Sequence, residues 1–346
     1  MRYLPYCINR SILILFLLIF LIPNVSGVAV TNITQLTYGT DTSYGNPAWS
    51  PDGKKIVLNK NEIIHTMNVD GSNITSTGQN GYYAKWFPDG SKIVFEWGNS
   101  VYIMNSDGSN QKMLISVAGS PSISQDGQYI AFDGGAVKGF GTTPEQGRGI
   151  FIIDINGTNI KRLTDDFGDE IMPSWSPNSQ KIVFTKNGII NIMDADGSNM
   201  TSTGQQGIYA RWSPDGKYIA FLSSRAGDLF QGMNLEHIYV MDVDGTNVTQ
   251  LTFGDDRWDK TFDWSPDGTK IVFTSEVPPT APKTINNIYI MTLDFNVTSP
   301  TTAPTVIQTP TITQTATTTA TQTPGFSLLL ALASLSILVL IRKIER

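Results

Sequence analysis

Cysteine and histidine are almost absent from this chain. Its one cysteine, Cys7, stands ahead of the first long apolar run, and its two histidines are His65 and His237. With that run removed on export no thiol remains, which excludes disulfides, a cysteine nucleophile and cysteine–metal chemistry. A lipoprotein cysteine would follow the apolar run rather than precede it. The usual catalytic phrases are also missing. There is no Gly-x-Ser-x-Gly elbow with a hydrolase-sized domain around it, and no Gly-x-Gly-x-x-Gly or Walker loop between a strand and a helix. Basic charge is scarce. Lys and Arg number 24 against 30 Asp and Glu; five of the basic residues and one acid sit in the two apolar ends, which leaves 19 against 29 between them. That sign argues against nucleic acid as a partner and reads as a means of solubility.

What is present is a phrase repeated six times. Trp264–Gly268 reads Trp-Ser-Pro-Asp-Gly and is followed by the apolar run Lys270–Phe273. Whole or altered, it recurs at Trp49–Gly53, Trp86–Gly90, Ile123–Gly127, Trp175–Ser179 and Trp212–Gly216. Proline presets the second position of a turn and Asp-Gly supplies its flexible end. The flanks are short, β-branched and aromatic, so they read as strands. Each phrase is then one hairpin. A second hairpin follows, with its turn at Asp70-Gly71, Asp107-Gly108, Asn156-Gly157, Asp196-Gly197 or Asp244-Gly245, the strongest short-range hairpin signal. Four strands per repeat make the blade of a β-propeller.

The phrases are spaced 37, 37, 52, 37 and 52 residues apart. The short interval suits a compact blade, and the long one leaves room for an inserted loop. Asn73–Gly81 matches Asn199–Gly207 at an offset of 126, which reads as a duplicated three-blade block. The sixth repeat ends near Asp294 without its last strand, while the N-terminal Thr31–Thr37 copies Thr246–Thr252. We expect that N-terminal strand to complete the last blade and remove an open edge. The fold is therefore expected to be all-β, a six-bladed propeller over 28–298 closed by an N-terminal strand.

The ends carry cellular address. Residues 1–27 read as a signal peptide: Arg2 and Arg10 lead, Ser11 to Ile22 is apolar, and Val25-Ser26-Gly27 offers a cleavage site. An uncleaved anchor helix is the alternative. Residues 299–323 are about half Thr, with Pro and Gln, and read as an extended, O-glycosylated stalk. Residues 324–346 hold Pro324, Gly325 and Phe326, an apolar run to Ile341 and a basic end. At ~1.5 Å per residue, about sixteen helical residues reach roughly 24 Å, short of a ~30 Å hydrocarbon core. Basic flanks at both outer ends place the segment between them outside the cell. The tail resembles the PGF-CTERM sorting signal of archaeal surface proteins. In that family an archaeosortase removes the transmembrane helix and a lipid replaces it; a plain membrane anchor is the other reading.

The repeat resembles the TolB-like, WD-repeat-like propellers, whose blades carry Trp-Ser-Pro-Asp-Gly and Met-Asp-x-Asp-Gly-x-Asn. Met193–Asn199 and Met241–Asn247 match the second phrase. TolB itself has a separate α/β domain before the propeller, and none fits here, so its partners are not carried over. The same repeat also covers the entrance of prolyl-oligopeptidase-type enzymes. Departures at Ser124-Gln125 and Asn178-Ser179 put the turn geometry of repeats three and four in question.

In an up-and-down blade both hairpin turns share one face. The middle crossings and the blade links share the other, and the long insertions 133–149, 222–237 and 274–287 all fall there. Loops on a rigid frame are where binding concentrates, so this long-loop face is the expected ligand site. Its links are acidic: Asp165, Asp166, Asp169 and Glu170, then Asp255, Asp256 and Asp259. Converging carboxylates would suit Ca²⁺, and ordinary solvated turn residues are the alternative. Trp258 and Phe167 would stack on a sugar, anchor a protein, or simply pack between blades. His237 opens a strand at this face, whereas His65 takes a strand position that other repeats give to Tyr102, Phe151, Tyr239 and Tyr289. On the hairpin-turn face lie the sequons of Asn73, Asn156, Asn199 and Asn247, with Asn32 and Asn296 at the seam. We expect glycans on that face and a partner, a surface protein or polysaccharide, on the other. An extracellular glycan or peptide hydrolase or lyase centred on His237, and a passive envelope component, are the competing readings.

Overall fold

A computed structural model describes residues 27–39, 41–135, 148–164, 168–225, 229–230, 233–254, 257–276 and 285–297. The signal, the Thr-rich stalk and the Pro324-Gly325-Phe326 tail lie outside the described residues. Strand β1 (Gly27–Gln35) comes first. Blade one is β2 (Tyr44–Trp49), β3 (Lys55–Lys60), β4 (Ile63–Asn68) and β5 (Thr75–Asn80). Blade two is β6 (Tyr82–Trp86), β7 (Lys92–Glu96), β8 (Ser100–Asn105) and β9 (Lys112–Ser116). Blade three is β10 (Ala118–Ile123), β11 (Tyr129–Gly134), β12 (Gly149–Asp154) and β13 (Lys161–Arg162). Blade four is β14 (Glu170–Trp175), β15 (Lys181–Lys186), β16 (Ile189–Asp194) and β17 (Thr201–Gln206). Blade five has β18 (Ile208–Trp212), β19 (Tyr218–Ser223), an inserted hairpin β20 (Leu229–Phe230) and β21 (Met233–Asn234), then β22 (His237–Asp242) and β23 (Thr249–Gln250). Blade six is β24 (Trp258–Trp264), β25 (Lys270–Glu276) and β26 (Asn286–Val297).

The last sheet runs β24-β25-β26-β1, so the N-terminal strand closes the ring. It starts at Gly27, earlier than the Thr31 expected from the repeat, and pairs antiparallel with β26 from Gly27↔Val297 to Gln35↔Tyr289. Just beyond it, the Thr37 hydroxyl accepts from the Ile288 backbone N–H at 2.9 Å and donates to Asn287 Oδ1 at 3.1 Å. The first strands of successive blades pack around the axis, and β2 meets β24 to complete the circle.

The core follows from the repeated phrase. The apolar triplets after each turn, from Ile56-Val57-Leu58 round to Ile271-Val272-Phe273, have 0% exposure in all six blades. A second strand has a blade packed on each face, so both sets of side chains are apolar rather than alternate ones. Four blades stack its last aromatic on an aromatic of the third strand: Phe95–Tyr102, Phe132–Phe151, Phe221–Tyr239 and Phe273–Tyr289, at 5.5 to 5.7 Å between ring centroids. His65 holds the corresponding place opposite Leu58, with its Nδ1 2.9 Å from the Ile63 carbonyl.

The turns are built around serine. Ser265 Oγ donates to Asp267 Oδ1 at 2.6 Å and accepts from the Lys270 N–H at 2.9 Å. The same relay occurs at Ser50, Ser124, Ser176 and Ser213. It absorbs both departures from the phrase. Asp126 serves in repeat three, and Asn178 Oδ1 takes the bond at 2.7 Å in repeat four. Ser179 adopts φ 58° where the other turns have glycine.

Candidate functional site

Each first strand begins at the long-loop face and carries a bulge. The pairing shifts at Gly45/Ala48, Tyr82/Lys85, Gly119/Ser122, Ile171/Ser174, Ile208/Arg211 and Asp259/Thr261. In five blades the bulge puts a side-chain-bearing residue at positive φ: Asn46 at 49°, Tyr83 at 51°, Ser120 at 49°, Met172 at 58° and Tyr209 at 57°. Such a conformation costs roughly 1–3 kcal/mol per residue, and here it recurs around the innermost ring of strands.

The axis is filled. Tyr83 and Tyr209, 126 positions apart, come from opposite blades and bring their ring centroids within 6.2 Å. Phe262 meets Tyr209 edge-on at 5.5 Å. The Arg211 guanidinium lies over the Tyr209 ring at 4.3 Å, and its Nη1 donates to the Pro173 carbonyl at 3.3 Å. Lys85 reaches past blade one to Asp263 at 2.6 Å, and the other Asp263 oxygen accepts from the Trp49 N–H at 3.0 Å. Burial first, then the neighbouring Tyr209 and Glu96, raises the Tyr83 phenol to about 12.

Two clusters of buried charge frame the long-loop face. Between blades five and six, Asp259 and His237 are 0% exposed, with Asp259 Oδ2 3.7 Å from His237 Nδ1. Arg257 Nε lies 3.3 Å from Asp259 Oδ1 and donates to Ser275 Oγ at 3.3 Å. The Asp259 backbone N–H is held by the Glu236 carbonyl at 3.0 Å. Burial pushes the Asp259 carboxyl up, but Arg257 and hydrogen bonds from His237, Thr252 and Ser275 outweigh it and hold the group below its ordinary value. Burial raises Glu236 despite the bond from Trp258 Nε1 at 3.3 Å. Lys260 lies 4.8 Å from the centre of the Trp258 ring and also pairs with Glu276.

Between blades three and four, Glu170 is 0% exposed. It lies 3.3 Å from Lys186 Nζ and accepts from Thr164 Oγ1 at 3.4 Å. Asp133 is paired with Arg148 and accepts from the Met172 N–H at 2.9 Å. Thr164 and Thr252 are repeat equivalents that cap Ile150 and Ile238 as Thr37 caps Ile288. Further cations lie over rings at this end: Lys60 on Tyr44, Arg162 on Phe151, Arg225 on Tyr239 and Arg257 on Tyr289.

The candidate residues therefore separate. Glu170 and Asp259 sit in strands and are buried, not displayed on links as the sequence suggested; His237 opens a strand as expected, and it is buried too. Asp169 is exposed, and its backbone pairs with Asn187. Trp258 is half-buried. Asp165, Asp166, Asp255 and Asp256, with Phe167, lie outside the described residues. Among the described residues no three His, Cys, Asp or Glu side chains come together to hold a metal, and Asp133, Glu170, Asp259 and Asp263 each face a cation. Sequence reasoning missed Tyr38 and Phe253. They follow Leu-Thr in equivalent links and stand 65% and 39% exposed; the repeated Leu-Thr-aromatic-Gly phrase was the available signal.

This geometry defines a six-bladed propeller with a plugged axis and one face of long loops. No protein-family model matches the chain. An uncharacterized protein of Agrobacterium fabrum is 25% identical over 273 residues, covering 73% of this chain and 93% of that one. A protein provisionally designated TolB from Agrobacterium tumefaciens has a similar structure, with TM-score 0.56, 20% identity and coverage of 77% of this chain and 98% of that one. Oligogalacturonate lyase in complex with manganese is also similar, at TM-score 0.52 and 13% identity, over 76% of this chain and 93% of that one. The chain shares its fold with both of these structures, and at such identity they speak to fold alone.

Proposed function

We propose that this chain is a surface-held propeller that binds a protein or polysaccharide, without catalysis, through its long-loop face. The observation that carries the reading is the pair Tyr38 and Phe253. They are aromatic side chains exposed at equivalent links of neighbouring blades, on the face that also carries the internally paired charge clusters. Exposed aromatics on a rigid rim are the usual anchors of recognition. The opposing enzyme reading placed His237 at its centre, but that side chain has 0% exposure and offers no surface to a substrate. We further infer that residues 1–27 direct export, and that 299–346 hold the propeller off the membrane until an archaeosortase-type enzyme exchanges the tail for lipid.

The test is capture from native cell envelope with the full chain as bait, beside a Tyr38→Ala/Phe253→Ala chain and an Asp255→Ala/Asp256→Ala chain. We expect one species retained by the wild type and weakened at least about tenfold by the aromatic pair, as loss of two modest anchors implies. Equal retention by all three baits would remove the face assignment. Turnover of an envelope glycan or peptide by the purified chain would reverse the non-catalytic reading.

A further inference from the structure

The second hairpin turn of blades one to five repeats one geometry with a single telling difference. Each turn ends in an asparagine in the left-handed region: Asn73 at 54°, Asn110 at 53°, Asn159 at 51°, Asn199 at 52° and Asn247 at 52°. In three blades the turn opens with aspartate, and that carboxylate takes the closing amide. Asn159 Nδ2 donates to Asp154 Oδ2 at 2.9 Å, Asn199 to Asp194 at 2.7 Å and Asn247 to Asp242 at 2.7 Å. In blades one and two the opening residue is Asn68 or Asn105. These donate their own amides to Ser72 Oγ at 3.0 Å and Ser109 Oγ at 2.9 Å. A carboxamide presents one uncharged acceptor oxygen where a carboxylate presents two that share a charge, and neither Asn68 nor Asn105 takes a bond from the closing asparagine. Asn73 and Asn110 therefore donate to no acceptor among the described residues. Asn110 is followed by Gln-Lys, so only Asn73, followed by Ile-Thr, is a sequon.

Among the other sequons whose three residues are all described, the amides of Asn32, Asn199 and Asn247 are committed and that of Asn156 has its threonine engaged instead; the Asn296 sequon ends at Thr298, outside the described residues. Asn32 Nδ2 donates to its own Thr34 hydroxyl at 3.1 Å, within a strand paired to β26. Asn156 has an exposed side chain, but its Thr158 hydroxyl is bound to Asp154 Oδ2 at 2.5 Å and its backbone N–H to Asp154 Oδ1 at 3.2 Å. Asn199 and Asn247 are tied as above, and the Asp194 carboxyl is held below its ordinary range by Lys181 first and Asn199 next. The Thr75 hydroxyl, by contrast, makes only a long 3.3 Å contact to the Asn73 carbonyl.

We propose that Asn73 is the N-glycosylation site of the folded propeller, and that Asp194 and Asp242 shield the matching sequons of blades four and five. The step is transfer from a lipid-phosphate-linked glycan. The Asn73 amide nitrogen bonds to the anomeric carbon, the carbon–oxygen bond to phosphate breaks, the lipid phosphate leaves with that electron pair, and the nitrogen gives up one proton. A charge-assisted hydrogen bond must break before Asn199 or Asn247 can enter the same reaction. This rests on the export reading above.

Glycopeptide mass spectrometry on the full chain, made in its own host, tests the assignment. Wild type is compared with N68D, D194N and D242N; each change installs the residue already present in a sister turn. Asn73 should carry the glycan in wild type and lose about tenfold in occupancy in N68D. Asn199 and Asn247 should gain about tenfold in D194N and D242N, the factor expected for one hydrogen bond to a charge. Equal occupancy at all sequons, or no response to the swaps, overturns the proposal. Protease shaving of intact cells separates the two failures. An unglycosylated chain removed by protease sinks the Asn73 assignment alone, and a protected chain sinks the export reading with it.

Discussion

Asp259 is a carboxylate without water contact, and its neighbours determine what it contributes. Arg257, His237, Thr252 and Ser275 together hold its acid below the ordinary value of 3.8 in spite of full burial. A group whose folded acid is depressed contributes stability above its unfolded value, and that contribution is lost as pH falls through the folded one. Asp259→Asn keeps the shape but strands the buried Arg257 charge. We expect a loss of about 3–5 kcal/mol at pH 7, read by urea unfolding. The gap between wild type and variant should then narrow as pH is taken below 3.8, where both unfolded chains carry a neutral side chain. A difference under about 1 kcal/mol at pH 7 would mean the pair is compensated elsewhere. The sequence placed His237 and Asp259 on one face but did not show that they are buried against each other. His237 and Asp259 lie on adjacent blades, and the contact depends on the backbone bond from Asp259 to Glu236, which no local periodicity encodes. The acids could be found, but not whether they faced solvent or cations.

At the level of the strand, ring closure was readable because the repeat supplied a template. A Leu-Thr strand missing from the end and present at the start can only be the same strand moved. What the repeat did not give was its length: β1 begins at Gly27, and its bulges between Gly27/Ala29 and Val30/Asn32 offset it from a simple copy. The strand pairs with β26 from Tyr289 to Val297 and buries Val30 and Ile33 at 7% and 3% exposure. Ile33→Ala should cost about 2–5 kcal/mol, as for other buried aliphatic truncations, in a chemical-denaturation series. Removing residues up to Leu36 should do more than lower the midpoint. It leaves β26 as a long open edge, so the truncated chain should self-associate in light scattering. A monomeric truncation with an unchanged midpoint would show that β1 is an ornament.

Across the whole molecule the duplication gives a sharper expectation than either half does alone. Blades one and two match blades four and five at an offset of 126, yet the structure binds the two halves of the ring to each other, and three of those links stand out. β1 belongs to the first half in sequence and to the last blade in space. Lys85 reaches past blade one to pair with Asp263 at 2.6 Å, and Tyr83 meets Tyr209 of the opposite blade at 6.2 Å. These cross-links are long-range, so neither half should fold alone, because each would expose a complete blade face and an open end. Cutting the chain in the link near residue 166 should therefore give two fragments that are unfolded or aggregated singly. Mixed from denaturant, they should recover one species of intact size, measured by size exclusion and near-ultraviolet circular dichroism. The same mixture with Ile33→Asp in the first fragment should fail, since that charge would enter the buried face between β1 and β26. Recovery of native signal by either fragment alone would contradict the interlock and favour two autonomous half-rings that merely lie side by side.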